Sequence, residues 1–286
     1  MILGRYLPPS VKLILRNRRH QLRSALIRGL FSFTPDDFLH ALRSIGICPG
    51  DTIMVHSSYA SFEGFSGGVS DVIRKLQAAV GEEGTLLQPT MPFTGRAIDY
   101  VRSGHVTDIR KTPSKMGLLT EVFRRRPDVV RSIHPTHPIA AWGCEAAAIT
   151  ADHYKCLTPC GAGSPFHRLL LANGKTLLAG VGIESMTFFH YIEEHLERAM
   201  PFSPFTSEWF DLKVRGADGV MRDTHTRLFD PSVSPRRNLL PLRAHLNKTG
   251  SWKECRVGRL RLAVIPAAAA LSAAESMAAS NEFCYR

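Results

Sequence analysis

An α/β fold with a largely parallel central sheet flanked by helices is what this sequence predicts, and three observations carry the prediction. Short apolar runs (Thr52 to Val55, Thr85 to Leu87, Leu177 to Val181) alternate with segments whose apolar residues recur at helical spacing. Several runs end in loops of small and polar residues, as at His56-Ser57-Ser58 and Gly180 to Gly182. Strand, loop, helix, strand in that order is the unit of a parallel sheet, whose ligands collect beyond the carboxyl ends of its strands.

In chain order, Thr34 caps a helix with Pro35 at its first position and Asp36 and Asp37 in the first turn, running to about Ile45. Pro49-Gly50-Asp51 turns the chain into the strand at Thr52. Gly67-Gly68 opens a helix through Val80, with Val69, Val72, Ile73, Leu76 and Val80 at helical spacing, and Gly81 to Gly84 ends it before the strand at Thr85. Residues 92–113 read as an irregular polar loop. Met116 to Arg126 reads as a helix whose last turn carries Arg124, Arg125 and Arg126, matching its dipole. A strand at Ile139 to Gly143, a helix from Glu145 to His153 and a Gly-, Pro- and Ser-rich loop at 158–165 follow. The run ending at Val181 leads into a helix beginning near Ser185, broken by Pro201 and Pro204. Residues 208–230 alternate like a hairpin turning at Gly216-Ala217-Asp218-Gly219. A basic helix over 235–250, a final strand from Arg256 to Ile265 and an Ala-rich helix over 267–279 complete the chain, and no linker divides it.

Charge is unevenly placed. The net charge is +11, and residues 1–35 hold seven of the 36 basic residues and none of the 25 acidic ones, which leaves the body at +4. Leu15, Leu22, Leu26 and Leu30 fall near one helical face of this leader among Arg16, Arg18, Arg19, Arg23 and Arg28. A basic amphipathic helix of this kind lies on an anionic membrane surface, docks on a partner or covers a domain edge, and the sequence leaves the three open. No nucleic-acid partner is expected, because the leader has no aromatic interleaving and no recognition fingerprint follows it. No run has the length of a membrane span, no secretory signal is expected, and six scattered cysteines show no disulfide rhythm. The expected location is cytoplasmic, with a membrane-peripheral position as the variant the leader adds.

The chemistry-bearing residues gather in a few segments. His190 and Glu193, three apart on a helix, share one face, so the carboxylate can hold one imidazole nitrogen and leave the other free as a general base. An exposed pair on an ordinary helix is the competing reading of that spacing. Four loops fall at strand ends or helix starts: His56-Ser57-Ser58 with Gly64 to Gly68, Thr112 to Gly117, Arg131 to Pro138 with His134 and His137, and Cys160 to Phe166. Small hydroxyls and Gly-rich turns before helices suit a phosphate or a thioester arm, although ordinary caps look the same. His153, Cys156 and Cys160 have no clear fourth metal ligand, and no GxSxG elbow for a serine nucleophile is present.

Taken in order, VHSSYASF (55–62), GGVSDVIRKLQAAVGEEGTLLQPT (67–90), TPSKMGLLTEVFRRRPDVVRSIHPTHPIAAWG (112–143), TPCGAGSPFHRLL (158–170), GKTLLAGVGIESMTFFHYIEE (174–194) and RVGRLRLAVI (256–265) resemble the aminoglycoside 3-N-acetyltransferase family, also called the antibiotic N-acetyltransferases. The similarity spans about 36–280 and leaves out the leader, so 1–35 reads as a leader and 36–286 as one domain. The resemblance implies a single α/β domain bearing a smaller acceptor-binding portion, and acetyl transfer from acetyl-CoA to a small-molecule amine without a metal. It implies His190 as general base, oriented by Glu193. It implies a coenzyme side lined by His56, Ser57, Ser58, Thr112, Ser114, Met116, Arg131, Ser132, Ser164 and Phe166, with His134 and His137 near the acetyl or pantetheine end.

Aminoglycosides are polycations and call for carboxylates, whereas Lys213, Arg215, Arg222, Arg227, Arg236, Arg237 and Arg243 follow the catalytic helix. Glu184, Glu193, Glu194, Glu197 and Glu208 remain available for a local acidic pocket. The charge favours an amino sugar or related amine that also carries an anionic group. A resistance enzyme acting on aminoglycosides and a non-catalytic CoA-binding sensor are the alternatives.

Overall fold

Thr34 starts the first helix as its sequence predicts. In a computed structural model that describes residues 29–286 together with Val11 and Arg18, Asp37 N–H donates to Thr34 Oγ1 at 3.1 Å and Thr34 N–H donates to the Asp37 carboxylate at 2.8 Å. This closed capping box opens the helix Pro35–Ser44. Most of the leader lies outside the described residues. Among the described residues, no helix is long and apolar enough to cross a membrane.

The strands are β1 (Thr52–Ser57), β2 (Thr85–Pro89), β3 (Thr107–Asp108), β4 (Val130–Arg131), β5 (Ile139–Gly143), β6 (Lys175–Ala179), β7 (Phe205–Arg215), β8 (Met221–Phe229), β9 (Lys253–Val257) and β10 (Leu260–Pro266). Seven form the main sheet in the order β4-β5-β2-β1-β6-β10-β9. Alternation along the central strands sends side chains to two cores. Met54, Leu87 and Leu178 join Ile192 and the helix Ala267–Ala279 on one face, while Ile53, Val55, Leu86 and Leu177 meet Leu76 and Phe123 on the other.

The expected helix-flanked α/β architecture is present, with the parallel pairing of the main sheet confined to β2-β1-β6. Short returns set the flanks. The strand expected over Arg256 to Ile265 is instead the antiparallel pair β9 and β10, folded back through Gly258 at a φ of +54°. Strands β5 and β4 add antiparallel pairs on the other side.

Other expectations shift in extent. The helix read from Met116 to Arg126 is Leu118–Phe123, and the one read from Glu145 to His153 is Ala146–Thr150, with Asp152 at a φ of 56°. Residues 92–113 hold the helix Ala97–Arg102 and the two-residue β3. The helix carrying His190 is Phe189–His195, preceded by a 3-10 turn at Ile183–Ser185. Ser164 caps an additional helix, Pro165–Leu171, by accepting from His167 N–H. The expected hairpin, β7 and β8, pairs with β3 in a second sheet whose small core joins Ile98, Phe210 and Leu228. That smaller portion brings Phe229 onto His190, their rings 4.4 Å apart at centroid.

Candidate active site

His190 sits in the first turn of the helix Phe189–His195, and Glu193 follows one turn on, behind it. The Glu193 carboxylate accepts from His190 Nδ1–H at 2.7 Å. It is saturated from behind as well. Arg237 donates from Nε to Oε2 at 2.8 Å and from Nη2 to Oε1 at 2.7 Å, and the Tyr285 hydroxyl donates to Oε2. The carboxylate side chain is 0% exposed. Burial favours the neutral acid, but the bonds and charges of His190 and Arg237 outweigh it and hold the group below the usual carboxylate range. With Nδ1 committed as donor, Nε2 carries the lone pair. It has no protein partner among the described residues, and the ring forms part of a cleft wall. Burial lowers the His190 pKa, assisted by the Arg237 charge and opposed by Glu193. The imidazole is therefore neutral and unprotonated at Nε2 at neutral pH.

The cleft in front of Nε2 has a volume of about 450 Å³, walled by Phe93, Met116, His137, Phe229, Arg96 and Arg237. A second cleft of about 610 Å³ shares Phe93, Thr94 and Arg96 with it and adds Thr112, Lys111 and Lys115. The two adjoin at Phe93, Thr94 and Arg96, where an apolar neck at Phe93 and Met116 leads to an outer chamber in which Arg96, Lys111 and Lys115 outnumber Asp99.

The family description "Aminoglycoside 3-N-acetyltransferase" matches residues 54–279. The chain belongs to that family. It is 36% identical over 165 residues to aminoglycoside N(3)-acetyltransferase VII of Streptomyces paromomycinus, a match covering 53% of this chain and 57% of that protein. It is 31% identical over 193 residues to aminoglycoside N(3)-acetyltransferase III of Serratia marcescens, covering 63% of this chain and 70% of that one. The crystal structure of aminoglycoside acetyltransferase AAC(3)-Xa superposes with a TM-score of 0.73 at 27% identity, covering 88% of this chain and 95% of that chain. The match thus spans little more than half the length of the Streptomyces relative.

Within this acetyltransferase family fold, the residues implied for the coenzyme side divide into three groups. Met116 and His137 line the inner cleft and Thr112 the outer one. His56 lies at the end of β1, where its Nε2 accepts from Thr187 N–H at 2.9 Å, and Ser57 and Ser58 follow it half-buried. The remainder are held inside the protein and away from both cleft walls. Arg131, 8% exposed, spends its guanidinium on the Thr90 hydroxyl and on the carbonyls of Thr90, Ile109 and Thr112. It pins the outer-cleft loop from within. Ser132 accepts from Ile139 N–H at 2.8 Å and bonds His153, while His134 Nδ1 accepts the N–H groups of Thr136 and His137. Ser114 bonds Thr120 and accepts from Met116 N–H, Ser164 caps its helix, and Phe166 is core. His153 spends both ring nitrogens on Ser132 and the Pro159 carbonyl, and burial holds the Cys156 and Cys160 thiols protonated. Among the described residues, no group of three His, Cys, Asp or Glu is placed to hold a metal ion. Residue spacing missed Arg237 and Tyr285, the two groups that complete the Glu193 contacts.

Four buried histidines surround this centre. Burial depresses His56 to about 3 and His153 to about 4, and His134 and His137 well below the usual value. Their folded pKa values lie below the unfolded value of about 6.5, so between the two the unfolded chain binds more protons and stability rises with pH. The contribution is complete above about pH 6.5 and is lost as pH falls through the folded values, down to about 4 for His153 and about 3 for His56. Lowering the pH from 7.5 to 5 is expected to cost on the order of 1–2 kcal/mol per histidine, seen as a lower urea midpoint. An unchanged midpoint would mean that these rings are not buried as neutral groups.

Proposed function

We propose that this protein is an N-acetyltransferase that moves the acetyl group of acetyl-CoA to the amine of a small acceptor, with His190 as general base. One observation carries the reading: Nδ1 of His190 is locked on Glu193 while Nε2 faces a cleft with its lone pair free. The cationic outer chamber at Arg96, Lys111 and Lys115 fits the phosphates of an anionic nucleotide thioester, and the apolar neck at Phe93 and Met116 fits its arm. The thioester supplies the activated acetyl carbon. His190 Nε2 takes a proton from the acceptor ammonium, and Glu193 stabilises the imidazolium that forms. The amine nitrogen bonds the acetyl carbon, the carbon–sulfur bond breaks, and the remaining surplus amine proton leaves on sulfur as the thiol. Residues 36–286 make up the catalytic domain, with 1–35 as a leader for a membrane surface or a partner.

The acceptor class follows from the cleft wall. Arg96 and Arg237 are in it, and no Asp or Glu is among its lining residues. A polycation placed there meets Arg96, which has no carboxylate partner among the lining residues, while Arg237 is already paired with Glu193. The acceptor is therefore an amino sugar bearing an anionic group, such as a nucleotide sugar. The names of the relatives favour the second reading, transfer to an aminoglycoside. Thiol release from acetyl-CoA decides between them. With a nucleotide-linked amino sugar, kcat/KM is expected to exceed that with gentamicin by at least about tenfold, the value of roughly 1.4 kcal/mol. The reverse order would overturn the charge argument and leave the aminoglycoside reading.

A further inference from the structure

A third cleft, of about 430 Å³, is walled in part by the helix that carries His190 and by β8. Two elements already described contribute to it. Glu194 in its wall lies four residues beyond His190 on the same helix, and Arg227 lies two residues before Phe229 on β8. One helical turn and two strand residues are each a step of about 6 Å along nearly the same face. The cleft is therefore built on the same helix and strand that carry His190 and Phe229.

Its polar groups are unfinished. Glu194 Oε1 accepts from the Thr158 hydroxyl, while Oε2 is buried without a partner. Arg227 spends its terminal nitrogens on Glu197 at 3.1 and 3.2 Å, and its Nε–H is buried and unpaired. The half-buried Arg168 guanidinium makes no hydrogen bond or ion pair among the described residues. Buried groups left in this state cost free energy unless something outside the chain completes them. Trp209 adds an aromatic wall, its ring stacked on His225 at 4.7 Å and still 45% exposed. Lys155 is paired with Asp152 and Arg227 with Glu197, which leaves Arg168 as the cation without an ion pair among the described residues, and burial lifts the Glu194 carboxyl to about 7 so that it is partly neutral. A ligand here must supply an anion for Arg168, an acceptor for Arg227 Nε–H, hydroxyls for Glu194, and an apolar face for the indole. A charged sugar does all four.

We propose that the cleft between Glu194, Arg168, Arg227 and Trp209 binds an anionic saccharide unit, and that it holds the distal part of the acceptor. The second clause rests on the acetyl-transfer reading; the binding itself does not. The test is a calorimetric titration of the full chain with glucuronic acid, with glucose as the neutral counterpart. Wild type is expected to bind glucuronic acid at least about tenfold more tightly than glucose. Arg168→Ala is expected to abolish that preference, and Trp209→Ala to weaken binding of both sugars. Both side chains can be removed without breaking an internal hydrogen bond, and a melting curve of each variant checks the fold. Absence of saturable binding by wild type, equal affinity for the two sugars, or an unchanged preference in Arg168→Ala would overturn the proposal. Thiol release is measured separately, so a chain that binds the sugar yet transfers no acetyl group contradicts the catalytic reading alone.

Discussion

His190→Ala is expected to lower turnover by roughly two to four orders of magnitude while the chain stays folded and still binds acetyl-CoA. The structure separates the two effects. Glu193 keeps three hydrogen bonds when the imidazole is removed, two from Arg237 and one from Tyr285, so no buried charge is orphaned. The phosphate-binding groups proposed at Arg96, Lys111 and Lys115 line the outer cleft, which His190 does not line. What disappears is the Nε2 lone pair, together with a ring stack on Phe229 worth about 1 kcal/mol. Steady-state thiol release and a calorimetric titration with acetyl-CoA are the checks. Turnover within tenfold of wild type would remove His190 from the chemistry.

Arg237→Ala carries the largest expected cost in stability. Its guanidinium holds a carboxylate with no exposed surface in a bidentate pair, and Tyr285 alone cannot neutralise that charge. Breaking a buried pair from one side costs about 3–5 kcal/mol, which lowers Tm by on the order of 10 °C. Arg237→Lys keeps the charge, loses the fork and should fall between the two. Removal of the cation also raises the basicity of both Glu193 and His190, because Arg237 lowers each of them. A variant melting with wild type would show that Glu193 is solvated or protonated.

The sequence was most legible where structure is local. The Thr34 cap, the helix Val69–Val80 and the turn at Gly216 to Gly219 rest on contacts within a few residues of each other, and the central strands show as short apolar runs although their partners are distant in sequence. The His190–Glu193 pair was legible for the same reason, as a spacing of three on a helix. Its completion was not. Arg237 arrives from 44 residues downstream and Tyr285 from 92, and neither distance leaves a periodic trace. Arg131, Ser132 and His134 show the opposite difficulty. A polar cluster in a loop suggests a ligand, but here Arg131 and Ser132 spend their polar groups on Thr90, Ile139 and His153, and His134 turns Nδ1 to its own loop while its Nε2 is buried without a partner among the described residues. Composition does not reveal which way such a cluster faces. The antiparallel flanks escaped for a related reason, since β9 and β10 read as one run until the reversal at Gly258 is seen.

The most direct test of the central claim is the pH dependence of kcat with both substrates saturating, in wild type and in His190→Ala. In wild type, kcat should fall on the acid side as one group protonates, with a midpoint below the ordinary histidine value of about 6.5, because burial and Arg237 lower His190. The residual rate of His190→Ala should show no such limb. An acid limb that persists unchanged in His190→Ala would place the base elsewhere and contradict the account.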